Sequence, residues 1–147
     1  MKSFVFLAIG LLCIGCSNGV GEGEPKYPVE GVIRINGEPA HRVAVTFHHD
    51  DATLPSSKRF ATGVTNEEGR FELSTEGDRD GAIAGRYVVT FTWLSANDIS
   101  AYDMLGGKFS SPATSEFDAV IPQTPKGDLQ FDLSVSADQI RSPRAAR

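Results

Sequence analysis

The chain has 147 residues with 19 acidic and 14 basic side chains, a formal charge of −5, and an apolar fraction of 40%. That apolar share is enough for a packed core and sets the chain apart from disordered polyelectrolytes. The basic residues form no cluster able to follow a phosphate backbone, and no nucleic-acid partner is expected.

Lys2 precedes an apolar run over residues 4–14, the layout of a secretory signal, and the run is too short to cross a bilayer as a helix. It closes on Leu12-Cys13-Ile14-Gly15-Cys16. This resembles the lipobox of bacterial lipoproteins, with small Gly15 before the acylated cysteine and Cys13 where Leu is usual. The resemblance implies removal of residues 1–15 and an exported protein whose first mature residue, Cys16, carries lipid. Each methylene buried in the membrane adds about 0.8 kcal/mol, so two or more acyl chains on Cys16 make a durable anchor. Ser17 follows rather than Asp, and by the same resemblance this implies the outer membrane, on its periplasmic side or at the cell surface. With both cysteines of the chain at this junction, no disulfide is expected in the mature protein.

Residues 17–26 hold one apolar side chain, Val20, among Gly, Glu, Pro and polar residues, and with the lipidated Cys16 are expected to form a flexible tether over 16–26. Residues 27–135 suffice for one domain. There the apolar residues alternate between turn signals, the pattern of half-buried strands. Val29, Ile33 and Ile35 share one face; Asn36-Gly37-Glu38-Pro39 supplies a turn; Val43, Val45 and Phe47 follow. Phe60, Thr62 and Val64, then Asn66-Glu67-Glu68-Gly69, then Phe71 and Leu73 alternating with Arg70, Glu72 and Ser74, predict a hairpin with one wet face. Residues 86–93, with Tyr87, Val89, Phe91 and Trp93 on one side, predict a strand central in its sheet. Phe117, Ala119 and Ile121 mark a sixth strand; Leu129, Phe131, Leu133 and Val135 mark a seventh. The expected fold is a single all-β antiparallel sandwich of about seven strands. Residues 136–147, with Arg141, Arg144 and Arg147, are expected to be a mobile basic tail.

Gly37-Glu-Pro39 with Val43-Ala-Val45-Thr-Phe47, Thr65-Asn-Glu-Glu-Gly69-Arg-Phe71-Glu-Leu73 and Gly85-Arg-Tyr87-Val-Val89-Thr-Phe91 resemble the carboxypeptidase regulatory-like family, a transthyretin-like sandwich. The likeness covers residues 28–93. Leu105-Gly-Gly-Lys108-Phe109 and Ser111-Pro-Ala-Thr-Ser115 are similar to a segment of small lipoproteins of planctomycete bacteria that carry this domain. His41-Arg42 stands where the family usually has a Gly-Ala-like pair. The resemblance implies an accessory module without catalytic residues. Hydroxyisourate hydrolases work on a related fold with a C-terminal Tyr-Arg-Gly-Ser, and here the residues printed last are Ser142-Pro-Arg-Ala-Ala-Arg147.

Three constellations bear on chemistry. His48-His49-Asp50-Asp51 has metal-ligand types, but neighbours on a strand face opposite ways and should not converge. Glu76, Asp78 and Asp80, with Gly81 sixth, match the start of a calcium loop, yet position twelve, where a bidentate Glu should close the shell, is Tyr87. Residues 94–115 are long for a bare connection; Ile99, Tyr102, Met104, Leu105 and Phe109 suggest partial packing, with a helical turn near 99–105 ended by Gly106-Gly107, and either a partner-binding loop or a lid over a sheet edge. No Gly-x-Ser-x-Gly occurs. A Lys-to-Asp cross-link is not expected, since Lys26 falls in the tether and the last strand offers only Asp132. The expectation is a non-catalytic module without cofactor that binds an envelope protein or polysaccharide or serves structurally. The alternatives are a hydroxyisourate-type hydrolase and a calcium-dependent carbohydrate-binding module.

Overall fold

Residues 23–141 are described by a computed structural model. The signal, Cys16, most of the expected tether and residues 142–147 lie outside the described residues. The strands are β1 Lys26–Tyr27, β2 Val29–Ile35, β3 Glu38–Pro39, β4 Val43–His49, β5 Phe60–Val64, β6 Arg70–Glu72, β7 Ala82–Ile83, β8 Gly85–Trp93, β9 Asp118–Ile121 and β10 Lys126–Leu133. Two single 3-10 turns, Ser56–Lys58 and Ala137–Gln139, accompany them. The seven longer strands coincide with the seven apolar alternations, and the fold is an all-β sandwich.

One sheet places β2 between β10 on one side and β3 and β6 on the other; the second has the order β5-β4-β8-β9. The short β1 and β7 pair as a separate clip. As its pattern implies, β8 is internal. Alternation becomes burial: Val29, Ile33 and Ile35 from β2, Val43, Val45 and Phe47 from β4, and Tyr87, Val89 and Phe91 from β8 all face the core. Phe47 joins the two layers, its ring 5.8 Å from Tyr87 in its own sheet and 6.2 Å from both Phe71 and Phe131 opposite. Tilted and edge-on pairs of this kind add about 0.5–1.5 kcal/mol each beyond burial. Gly85 opens β8 at φ 153, and a side chain there would land on the His49 ring.

The structure departs from the sequence-based expectation at five places. Phe60–Val64 and Arg70–Glu72 are not a hairpin: β5 pairs with β4 and β6 with β2, leaving a single bridge between Thr62 and Ser74, and β5 turns Ala61 to the core while Phe60 and Val64 stay exposed. The turn at residues 66–69 carries the chain from one layer to the other. Buried Thr65 secures that corner, its hydroxyl donating to the Ala40 carbonyl and accepting from Val43 N–H. Secondly, β10 runs parallel to β2, with Phe131 opposite Ile33 and Leu133 opposite Ile35. Alternation specifies which face is buried, not which way a strand runs. The Asn36 amide then clamps the chain beyond β10, donating to the Val135 carbonyl (2.8 Å) and accepting its N–H (2.9 Å).

Thirdly, the helical turn expected at 99–105 is absent. Leu94 and Asp103 bridge, Ser95 N–H donates to the Tyr102 carbonyl, and Ile99 sits fully exposed at the apex between them. Asp103 organises the return, accepting N–H from Trp93 (2.9 Å), Leu105 (3.0 Å) and Gly107 (2.7 Å). Leu105 and Phe109 enter the core, while Phe91 N–H donates to Phe109 and Val89 N–H to Phe117 along the margin of β8 that β9 leaves free. Of the two roles weighed for this segment, this geometry favours the lid. Fourthly, the first part of the expected tail is docked: Ile140 packs on the core and Arg141 N–H donates to the Met104 carbonyl at 2.7 Å. Fifthly, Lys26, expected in the tether, is part of β1.

Candidate polar groove

Gly63 lets the layers meet. A Cβ at that position would press on the Glu72 carbonyl, so only glycine allows β5 to cross so close to β6 and bring Thr62 and Ser74 into mutual N–H to carbonyl bonds of 2.8 Å. Over this corner and along the outer face of β2 lies an open groove of about 810 Å³. Its size is within the range of ligand-binding clefts, but its lining is mostly polar where such clefts are mostly apolar.

Its side chains come from the wet positions of the alternation. β2 presents Glu30, Val32 and Arg34; β6 presents Arg70 and Glu72; β10 presents Gln130. The register sets their order. Glu30 is the cross-strand partner of Glu72, and Val32 is flanked by Arg70 on one side and Gln130 on the other. Arg34 donates to the side-chain amide oxygen of Gln130 (Oε1) at 3.3 Å, and Arg79 reaches Glu72 at 3.0 Å. Asp128 projects at the irregularity between Lys126 and Leu129, paired to Lys126 at 2.7 Å, and that contact holds its carboxyl below the ordinary range. Each such exposed pair adds little to stability because water screens it. The arrangement offers fixed donors and acceptors to a polar ligand.

The residues singled out from sequence fall elsewhere. Glu76 and Asp80 turn onto Lys26, at 2.8 and 3.0 Å, while Asp78 lines the groove on the other side of the same loop. Asp80 also accepts N–H from Thr75 (2.7 Å), Glu76 (3.2 Å) and Gly77 (2.9 Å). Burial opposes ionisation of Asp80 most strongly, but the Thr75 N–H, the Lys26 ammonium and the other two N–H groups together outweigh it and bring its pKa down to about 2. The hydrogen bonds that the Lys26 ammonium donates to Glu76 and Asp80 raise its own pKa. Two of the three calcium candidates, Glu76 and Asp80, therefore already hold a cation of the chain itself, and among the described residues no three acidic, His or Cys groups converge on a metal position. A cross-link between Lys26 and Asp80 would need a neutral amine and a protonated acid, the opposite of the states held here.

His48 and His49 face opposite ways. His48 Nε2 is 2.8 Å from the Thr90 hydroxyl on the outer face, and burial lowers its pKa. The His49 ring lies 4.7 Å from that of Tyr87 and receives the Asp51 N–H on Nδ1 at 3.0 Å. Arg42 takes φ 63 with its N–H on the Thr65 carbonyl, and Trp93 Nε1 donates to the His41 carbonyl at 3.0 Å. The tight bend at His41-Arg42 is thus made without glycine. The groove residues went unnoticed in the sequence because single charges on wet strand positions look like ordinary solvation. Their only signal was that Glu30 to Arg34 and Arg70 to Glu72 both alternate charge with the period of a strand.

No family model matches the chain. No curated protein matches it either. Among solved structures, a 9R-lipoxygenase from Cyanothece aligns over 76% of this chain and 17% of its own at 15% identity and TM-score 0.41. The major pilin subunit of Bacillus cereus aligns over 74% of this chain and 29% of its own at 10% identity and TM-score 0.43. The dioxygenase domain of a carbohydrate-binding fusion protein from a cellulolytic Streptomyces aligns over 80% of this chain and 86% of its own at 17% identity and TM-score 0.41. The chain thus spans under a third of the length of the first two. At these TM-scores the likenesses carry no functional argument.

Proposed function

We propose that this chain is an exported lipoprotein, anchored through acylated Cys16 at the outer membrane, whose carboxypeptidase regulatory-like sandwich is a non-catalytic module binding an envelope protein or polysaccharide. The anchor rests on the apolar leader and on Leu12-Cys13-Ile14-Gly15-Cys16. The binding role rests on one observation, the groove of about 810 Å³ with its ordered row of charged and amide side chains. A groove formed by strands is rigid, so its donors and acceptors need little ordering when a ligand arrives.

Two experiments test the two halves. Labelled fatty acid should enter the wild-type protein and not Cys16→Ala, which should leave the membrane fraction. Labelling that survives the substitution, or membrane retention of an unlabelled protein, refutes the anchor. For the module, the full chain should co-sediment with purified cell-wall material, and Val32→Trp, which fills the groove from an outward position, should abolish this. Undiminished co-sedimentation of that variant would exclude the groove as the binding surface.

A further inference from the structure

The groove is charged differently at its two ends, and this deepens the binding proposal, on which it rests. At one end Glu30 and Glu72 are direct cross-strand partners on the outer face. Like charges in that relation repel. Arg79 answers Glu72, but among the described residues Glu30 has no ion-pair partner. Further along β2, Arg34 and Arg70 flank Val32 with Gln130 beside them, and among the described residues neither arginine is paired to a carboxylate. An anion-deficient end and a cation-deficient end therefore face one open channel.

The spacing between the ends follows from strand geometry. At about 3.3 Å per residue, the Glu30 row is about 7 Å from the Val32 row and about 13 Å from Arg34. An extended peptide covers about 3.3–3.6 Å per residue, so an ammonium and a carboxylate two to four residues apart would reach both ends. The one aromatic residue lining the groove, Phe71, is buried beneath Gly31, so no exposed ring offers a sugar a stacking surface. We infer that the groove takes a short extended peptide segment, its ammonium against Glu30 and Glu72 and its carboxylate against Arg34 and Arg70.

Titration calorimetry on the full-length protein in detergent micelles tests this with tetraalanine bearing free termini, the same peptide acetylated and amidated, and cellotetraose as a neutral glycan. Free tetraalanine should bind, and the blocked peptide should bind about tenfold more weakly, the loss expected for one or two exposed charge-assisted contacts. Glu30→Gln and Arg70→Gln should each weaken the free peptide several-fold, with added salt eroding the wild-type advantage. Both variants alter exposed positions, and Glu30→Gln removes a repulsion, so its melting temperature should not fall. Equal binding of free and blocked peptide, or wild-type affinity in both variants, overturns the inference. Binding of cellotetraose that Val32→Trp abolishes overturns it while preserving the groove as a site. No heat with any ligand, together with cell-wall co-sedimentation unaffected by Val32→Trp, overturns both.

Discussion

Asp80→Asn should destabilise the domain more than an exposed charge change normally does. Asp80 Oδ1 accepts the Thr75 N–H, and Oδ2 accepts those of Glu76 and Gly77 and the Lys26 ammonium. An asparagine can satisfy only one of these sides. Its amide nitrogen, turned to the other, would present hydrogens to hydrogens. The lost electrostatic part is bounded by the fall in pKa from 3.8 to about 2. At 1.36 kcal/mol per unit, discounted for a side chain that water still reaches, this is about 1–2 kcal/mol. For a domain of this size, that corresponds to a fall in melting temperature of about 5–10 °C. Trp93, the single tryptophan, is half-buried and reports unfolding by fluorescence. The pH dependence provides a second check. Because the folded-state pKa lies below the unfolded one, the contribution is complete above pH 3.8 and is lost as pH falls towards 2. The gap between wild type and variant should therefore close over that interval. Equal melting temperatures at neutral pH, or a gap that persists undiminished at pH 2, would refute the account.

Gly85→Ala should cost about 2–4 kcal/mol in a denaturant titration, since φ 153 strains an alanine and its methyl group meets the His49 ring. Leu105→Ala should cost about 2–4 kcal/mol as a buried truncation, whereas excising residues 97–100 at the exposed apex should change stability by less than about 1 kcal/mol. The reverse ranking would assign the packing to the wrong part of the segment. An intact mass of the folded domain should show no loss of water, because Lys26 and Asp80 are held as ions; a mass lower by one water would reveal the cross-link that this pairing disfavours.

Most of what depends on period was legible in the sequence, the exception being β5, where Ala61 is buried and Phe60 and Val64 are exposed. Val29 to Ile35, Val43 to Phe47 and Tyr87 to Trp93 alternate with strand period, and each buries the face its alternation indicated. The central place of β8 was legible for a related reason: its second face carries Val88, Thr90 and Thr92, which no solvent-facing edge strand requires. Partner and direction were not legible. A six-residue link between Val64 and Phe71 suits a hairpin or a crossing between layers equally well, and Thr65 decides for the crossing only through bonds to Ala40 and Val43, distant in sequence. Direction failed in the same way at β10, whose alternation would read identically in an antiparallel pair. At 94–115 the apolar residues were recognised as packing, but Ile99 was grouped with Leu105. Asp103, through its three backbone bonds, shapes the return that carries Leu105 inward and leaves Ile99 outside.

The loop between β6 and β7 joins β1 to the groove. Its inner carboxylates, Glu76 and Asp80, hold Lys26, the last residue of the expected tether and the first of β1, while Arg79 and Asp78 between them contribute to the groove wall. Arg79 adopts φ 52, which turns successive side chains to opposite sides of so short a loop, and its N–H is held by the Ser74 hydroxyl at 2.8 Å. Arg79 also neutralises Glu72, so the charge available at the acidic end of the groove depends on where this loop sits. A displacement of Lys26 would act on this loop through its two ion pairs, to Glu76 and Asp80. The fold thus places the charges of the groove one loop away from β1, and Arg79 is the residue through which a shift of that loop would change the charge at the acidic end.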